Sequence, residues 1–474
     1  MSPSESPSAS PSRWPDYRAV WRWHFYAGVF CIPFVVVLAI SGAIYLFKAE
    51  LEGWSERPYD TLEPTADAAL PSAHVSAALA AFPGSTFEGY ELSAGPGCAA
   101  RVVLRSEAGS RRAYVDPKSL AILGSVSERD RFMKQIFRLH GELLMGNRGS
   151  NLVELAACWT IVMVLTGLVL WWPRQGRGLA GVAWPRLHGG RRLFWRDMHA
   201  VTGVWISLVT LALLFSGLPW AKFWGDSFKA ARRWTGTAVA RQEWSNDGER
   251  SEAAGAAGAA RGGEHAGHGG HGGHGGHGGH GGHGGGGRRG AVELTAADLA
   301  AIDVVAAAVT PLKLDAPVVL APARGGQGRW TAKSTTANRP RRVDLVVDGA
   351  SGEIVRRDDF ATKHPIDKVV AVGIAFHEGR LFGWPNQLLL LLTAAGLVLV
   401  CVSAVWLWLR RRDPGRLGAP PPGIPPQRSV PLIATVLGLG VLLPLFGLSL
   451  LAVLLLERFV LRRVAPLKTF LGLA

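Results

Sequence analysis

The chain has 474 residues, of which 48% are hydrophobic and only 18% charged. That balance is too apolar and too sparsely charged for an ordinary soluble domain. A formal charge of +15 would suit a nucleic-acid binder, but the basic residues gather beside long apolar runs, the positive-inside pattern of an integral membrane protein, so nucleic acid is not an expected partner.

Cysteine usage excludes further chemistry. Cys31, Cys98, Cys158 and Cys401 form no CxxC, and three of them lie inside apolar runs. A disulfide framework, a zinc ribbon and a Cys-ligated iron–sulfur cluster are therefore not expected. No nucleotide loop or nucleophile elbow sits in a strand–turn–helix context, and no catalytic residue set is assigned.

A bilayer core needs roughly 20 apolar residues as helix. Five stretches qualify: 25–47, 152–172, 200–220, 387–409 and 431–456. The first four carry one carboxylate, Glu154, and Trp21, Trp23, Trp171, Trp172, Trp220, Trp224, Trp406 and Trp408 stand at their ends. Loop 173–198 holds Arg174, Arg177, Arg186, Arg191, Arg192 and Arg196, and loop 410–430 holds Arg410, Arg411, Arg412, Arg416 and Arg428. Both are expected in the cytoplasm, with the tail 1–20. Two long segments, 48–139 and 221–376, then face the other side. A fifth span at 431–457 would place Arg458, Arg462 and Arg463 outside against this rule, which leaves the sidedness of the tail 458–474 open. The first apolar run continues past a small-residue site at Ala39-Ile-Ser41, so it is read as a retained helix rather than a cleaved signal.

The chain reads as one unit written twice. His24-Phe-Tyr-Ala-Gly28 matches His199-Ala-Val-Thr-Gly203, and each runs on to a Ser-Gly pair, Ser41-Gly42 and Ser216-Gly217. His140 precedes Leu144 and Gly146 as His377 precedes Leu381 and Gly383, and Gly167 and Ala404 stand at equal offsets from those histidines. Each unit is helix, outside module, helix. Residues 60–130 and 291–366 read as small α+β modules. Helices are expected over 73–81 and 296–309, strands over 102–105 and 112–115, and a hairpin of 341–347 with 353–356. The predicted fold class is a membrane α-helical protein. It has a four-helix core of two such repeats, a fifth C-terminal transmembrane helix and two α+β modules outside the membrane. Histidines 74, 188 and 364 have no matched partner and are read as surface residues.

Between the third span and the second module, linker 223–290 carries a Gly-Gly-His run with His265, His268, His271, His274, His277, His280 and His283. Glycine at this density cannot form a core, so the run is expected to be disordered. Two readings stand side by side: weak, exchangeable metal binding by neutral imidazoles, and a repeat-slippage linker.

Four other histidines carry the chemistry. By topology His24 and His199 start helices at the cytoplasmic side, and His140 and His377 precede helices at the opposite side. A histidine pair from facing helices supplies both axial ligands of a six-coordinate b-type haem. Without CxxCH, covalent attachment is excluded. Gly28 and Gly203, one turn after their histidines, leave room for a flat macrocycle, and Gly42 and Gly217 return to the same face five turns on. Arg22 and Arg196, or Arg138 and Arg380 on the other side, are candidates to pair with propionates. The bland alternative is that interfacial histidines snorkel and small residues serve helix packing.

His24-Phe-Tyr-Ala-Gly28, Ser41-Gly-Ala-Ile-Tyr-Leu-Phe47, Val115-Asp-Pro with Gly124, and His140-Gly-Glu-Leu-Leu-Met-Gly146, with second copies from His199 and His377, resemble the PepSY-associated transmembrane family over roughly residues 20–412. These are iron-regulated bacterial inner-membrane proteins, some of them ferrisiderophore reductases. The resemblance implies two PepSY modules outside the membrane. It also implies two haem b groups, held by His24 with His199 and by His140 with His377. The expected activity is reduction of a ferric siderophore or another ferric chelate by electrons crossing the bilayer. No flavin or nicotinamide domain follows, so the electron donor is a separate partner. Two rival readings remain: a non-redox metal-binding or transport accessory using the Gly-His run, and a PepSY scaffold that regulates a peptidase.

Overall fold

The computed structural model describes residues 17–64, 67–173, 179–237, 294–323, 328–421 and 430–473. The first apolar stretch folds as α1 (Tyr17–Leu46) and runs almost directly into α2 (Lys48–Asp60). Next come α3 (Pro71–Ala81) and the strands β1 (Thr86–Glu91), β2 (Ala100–Ser106), β3 (Gly109–Val115) and β4 (Ile122–Ser127). Helices α4 (Phe132–Glu142), α5 (Asn147–Trp171), α6 (Arg191–Gly217) and α7 (Lys222–Trp234) follow. The order then recurs with α8 (Ala296–Val309), β5 (Val318–Pro322), β6 (Arg329–Ser334), β7 (Asp344–Asp348), β8 (Ile354–Asp358), α9 (Pro365–His377) and α10 (Trp384–Arg411). The chain ends in α11 (Val430–Leu442), α12 (Pro444–Leu456) and α13 (Ala465–Leu471).

Two units emerge. One gathers residues 1–49, 135–238 and 369–474, the other residues 50–134 and 239–368. In the first, five helical segments are long and apolar enough to cross a membrane: Tyr17–Leu46, Asn147–Trp171, Arg191–Trp220, Trp384–Arg411 and Pro444–Leu461. Four of them close into a ring, with α1 against α5 and α10, and α6 against the same two. The turns that feed α5 and α10 need glycine. Gly146 and Gly383 precede these helices at φ of 60° and 67°, a left-handed backbone that glycine adopts without strain.

The stretch 431–456 is not the single helix expected from its composition. Pro444 cannot donate to the preceding turn, and the chain breaks at Leu443. A β-carbon on Gly447 would sit 3.1 Å from the Gly440 Cα, so α11 and α12 lie against each other as a hairpin. Its tip is buried: Leu443 and Phe446 pack with Cys158, Ile161 and Leu218. Its tail returns to the first turns of α1, where the Tyr26 hydroxyl donates to the Leu471 carbonyl at 2.6 Å and Arg22 Nη2 to that of Gly472 at 3.1 Å. Arg458, Arg462 and Arg463 therefore follow a limb that doubles back toward the Arg22 end. The conflict with the charge rule came from reading one span where there are two limbs.

The second unit corrects the expectation of two separate modules. Its strands form one antiparallel eight-stranded sheet, β4-β3-β2-β1-β5-β6-β7-β8, joined where Tyr90 pairs with Leu320 and Glu91 with Val319. One core serves both halves: Val75 and Ala78 of α3, Ile302 and Val305 of α8, and Val102, Leu104, Leu320, Trp330 and Leu345 from the strands. Each half alone would leave β1 or β5 as an unpaired edge, and joining them removes both. α2 is held by ions. Arg101 meets Glu56 at 3.1 Å and Asp60 at 2.6 Å, and Arg131 meets Glu56 at 2.7 Å and Glu52 at 3.3 Å. His74 is not a surface residue: it is 3% exposed and stacks on Tyr90. The Pro117 carbonyl can only accept, so Nε2 donates to it, and Nδ1 accepts from the Tyr90 hydroxyl, each at 3.2 Å. His188 is exposed, and His364 Nδ1 accepts from the Ile366 amide at 3.2 Å.

Candidate functional site

The four membrane-edge histidines meet in two pairs. The rings of His24 on α1 and His199 on α6 have centroids 6.2 Å apart with planes at 85°. Those of His140, in the last turn of α4, and His377, at the end of α9, are 6.1 Å apart at 83°.

Each ring is held through Nδ1 by a neighbouring helix. His24 Nδ1 donates to the Met163 carbonyl at 3.0 Å and lies 3.1 Å from the Thr166 hydroxyl. His199 Nδ1 donates to the Val400 carbonyl at 3.1 Å, with the Ser403 hydroxyl at 3.4 Å. His140 Nδ1 lies 3.1 Å from the Ser41 hydroxyl, and His377 Nδ1 3.0 Å from that of Ser216. Both serines already give their hydrogen to their own helix, Ser41 to Val37 and Ser216 to Leu213. They must therefore accept from the imidazoles. All four rings carry the hydrogen on Nδ1, which leaves the Nε2 lone pair as the ligating atom.

The residue after each hydroxyl is small: Gly167, Ala404, Gly42 and Gly217. A β-carbon on Gly42 would sit 3.1 Å from His140 Cε1, one on Gly167 3.2 Å from His24 Cε1, and one on Gly217 3.4 Å from His377 Cε1. The room at Gly42 and Gly217 is thus taken by imidazoles. Gly28 is in ordinary contact with Met163 Sδ at 3.8 Å, and Gly203 faces open space. Ser41 follows His24 by seventeen residues on one continuous helix, so the pairs are separated by about 25 Å along its axis. That approaches the roughly 30 Å thickness of a hydrocarbon core.

The donor set fits a metal shared by two imidazoles. Two metal–nitrogen bonds of about 2 Å, plus roughly 1 Å from each nitrogen to its ring centre, span about 6 Å. Crossed rings with fixed tautomers are what orienting hydrogen bonds provide at metal sites. Three of the arginines proposed for propionates have protein partners: Arg22 donates to the Pro420 and Gly472 carbonyls, and Arg196 to the Asp197 carboxylate at 3.0 Å. Arg380 donates to the Leu46 carbonyl. His265, His268, His271, His274, His277, His280 and His283 lie outside the described residues.

Several groups escaped sequence reasoning. Thr166 and Ser403 complete a hydroxyl–small-residue pair in each of the four spans, and that recurring dipeptide was the available signal. Glu154 is fully buried and has no cation partner among the described residues. It accepts the Phe223 amide at 2.9 Å and the Trp224 amide at 3.1 Å, so it caps α7 from another helix. Asp197 is buried under Arg186, which donates from its amide, Nε and Nη2 and ties down the loop before α6.

Apolar helices of bilayer length, a separate strand unit and paired interfacial imidazoles define a multi-pass membrane protein. The PepSY-associated TM region matches residues 21–411, most of the chain, and the chain belongs to that family. The match ends before the α11–α13 segment. No curated protein matches the chain.

Proposed function

We propose that this protein is a di-haem b electron conduit of the bacterial inner membrane, reducing a ferric siderophore or another ferric chelate on the periplasmic side for iron acquisition. The observation that carries this reading is the facing of two imidazoles at each of two levels, with centroids 6.2 and 6.1 Å apart. We read the recurring element order as two helix–PepSY–helix repeats, each contributing one histidine to each level.

His24 with His199, and His140 with His377, would hold the two haem irons. When bound, haem b supplies one-electron exchange at iron, the chemistry that turns Fe(III) in a hard-oxygen chelate into the more weakly held Fe(II). The residues of the chain bind and orient. Met163, Val400, Ser41 and Ser216 hold the four rings through Nδ1, and Gly167, Gly42 and Gly217 let three of those rings approach a neighbouring helix. No proton transfer is required, in keeping with the lack of any assigned acid–base pair. The donor is a separate membrane or cytoplasmic partner.

The test is a reduced-minus-oxidised spectrum of the purified protein with a haem stoichiometry. One b-type haem for each imidazole pair is expected, with one lost in His24→Ala and the other in His140→Ala. Purified wild-type protein without b-type haem overturns the proposal.

A further inference from the structure

Two helices follow the first and third spans at the same place in the element order, and they part in charge and in partners. α2 carries Glu50, Glu52, Glu56 and Asp60 against Lys48 and Arg57, and gives carboxylates to Arg101 and Arg131. α7 carries Lys222, Lys229, Arg232 and Arg233 against Asp226 alone. It is tied instead to membrane helices. Glu154 of α5 holds its first turn, and Trp224 Nε1 donates to the Leu442 carbonyl at 2.9 Å.

One stripe of α7 is bare. Phe223 is 38% exposed and Trp234 90%, with Ser227 and Ala230 exposed between them. Their spacing puts all four on one helical face. That stripe begins just past the span Arg191–Trp220, whose Leu208 and Phe215 are exposed in turn.

We propose that α7 lies on the membrane surface and binds anionic phospholipid headgroups, its Phe223–Trp234 stripe entering the interface and the exposed Arg233 beside it facing the phosphates, while Lys222 and Lys229 share Asp226 and Arg232 is buried against the Thr237 carbonyl. Tryptophan settles at headgroup depth because its ring is apolar and its N–H polar. A basic amphipathic helix adds electrostatic attraction to an anionic leaflet. Net positive charge separates α7 from α2, whose carboxylates such a surface would repel. The inference does not depend on haem.

Full-length Cys98→Ser protein is labelled with bimane at Trp234→Cys and, separately, at Ala230→Cys. It is then placed in nanodiscs of phosphatidylcholine with or without phosphatidylglycerol. Lipids brominated high on the acyl chain are expected to abolish most bimane emission at both positions, more so with phosphatidylglycerol. Arg233→Glu combined with Lys229→Glu is expected to restore emission. Unquenched bimane open to aqueous iodide at both positions overturns the proposal, as does quenching that is equal with and without phosphatidylglycerol.

Discussion

The Ser41 hydroxyl stands 3.1 Å from His140 Nδ1 while giving its own hydrogen to the Val37 carbonyl at 2.7 Å, so it acts on the imidazole as an acceptor. Removing the groups that orient a metal-bound histidine typically costs about 10–100-fold in metal affinity. Ser41→Ala is expected to weaken haem binding at the His140/His377 pair by that factor, and Ser41→Thr to retain it. Haem titration of the apoprotein, followed by Soret absorbance, reads the difference. Equal affinities in Ser41→Ala and the parent count against the hydroxyl as an orienting group.

Space at the neighbouring glycines sorts their substitutions. A β-carbon at Gly42 meets His140 Cε1 at 3.1 Å, tighter than ordinary contact, whereas one at Gly28 meets the flexible Met163 Sδ at 3.8 Å. Gly42→Val is expected to displace the ring and empty one site, and Gly28→Ala to leave haem content unchanged. Haem-to-protein ratios of the two purified variants check this. Full occupancy in Gly42→Val contradicts it.

The hairpin predicts the side on which the chain ends. Leu471 and Gly472 accept hydrogen bonds from Tyr26 and Arg22, in the first turns of α1. A reporter fused after residue 474 is expected to score on the same side as one fused within loop 410–430. A single crossing by 431–456 would place the two on opposite sides, and paired fusions to alkaline phosphatase and a fluorescent protein distinguish these outcomes.

His74 gives the strand unit a pH dependence of definite sign. Burial holds its pKa below the ordinary 6.5, against the opposing pull of the Pro117 carbonyl and the carboxylates of Asp303 and Asp116. The unfolded chain therefore takes up a proton before the folded one does. Stability from this group is complete above pH 6.5 and is lost as the pH falls below it toward the lower folded value. Asp116 makes no contribution in that window. Amides of Ser119 and Lys118 hold its carboxyl below the usual range, so its own loss begins only near 3.8. Thermal melts between about pH 7 and 5 should show a falling Tm, with a shallower fall in His74→Gln. Parallel curves for the two proteins would falsify the assignment to His74.

What was legible in the residues follows from where the physical signal is local. A bilayer demands long apolar runs, so α1, α5, α6 and α10 could be placed from composition. Helix α8 was readable over its full length, Ala296–Val309. Equal spacing from His24 to Gly42 and from His199 to Gly217 marked the imidazole pairs. Helix α2 gave no such signal, because its polar sequence is steadied by Arg101 and Arg131, distant in the chain. Pro444 was hidden inside a run whose apolarity is the same for one crossing or two limbs. Nothing near Tyr90 announces that its partner is Leu320, since pairing between edge strands of distant segments leaves no periodicity to read.

That pairing bears on how the soluble part can be handled. In the joined sheet only β4 and β8 end the ladder, and β8 carries Arg356 and Arg357, charges that discourage further strand addition. A fragment ending before residue 318 would present β1 as a naked template, and one beginning after residue 91 would do the same with β5. Each invites a second copy to complete it, so a truncated piece is expected to dimerise or clump through that edge.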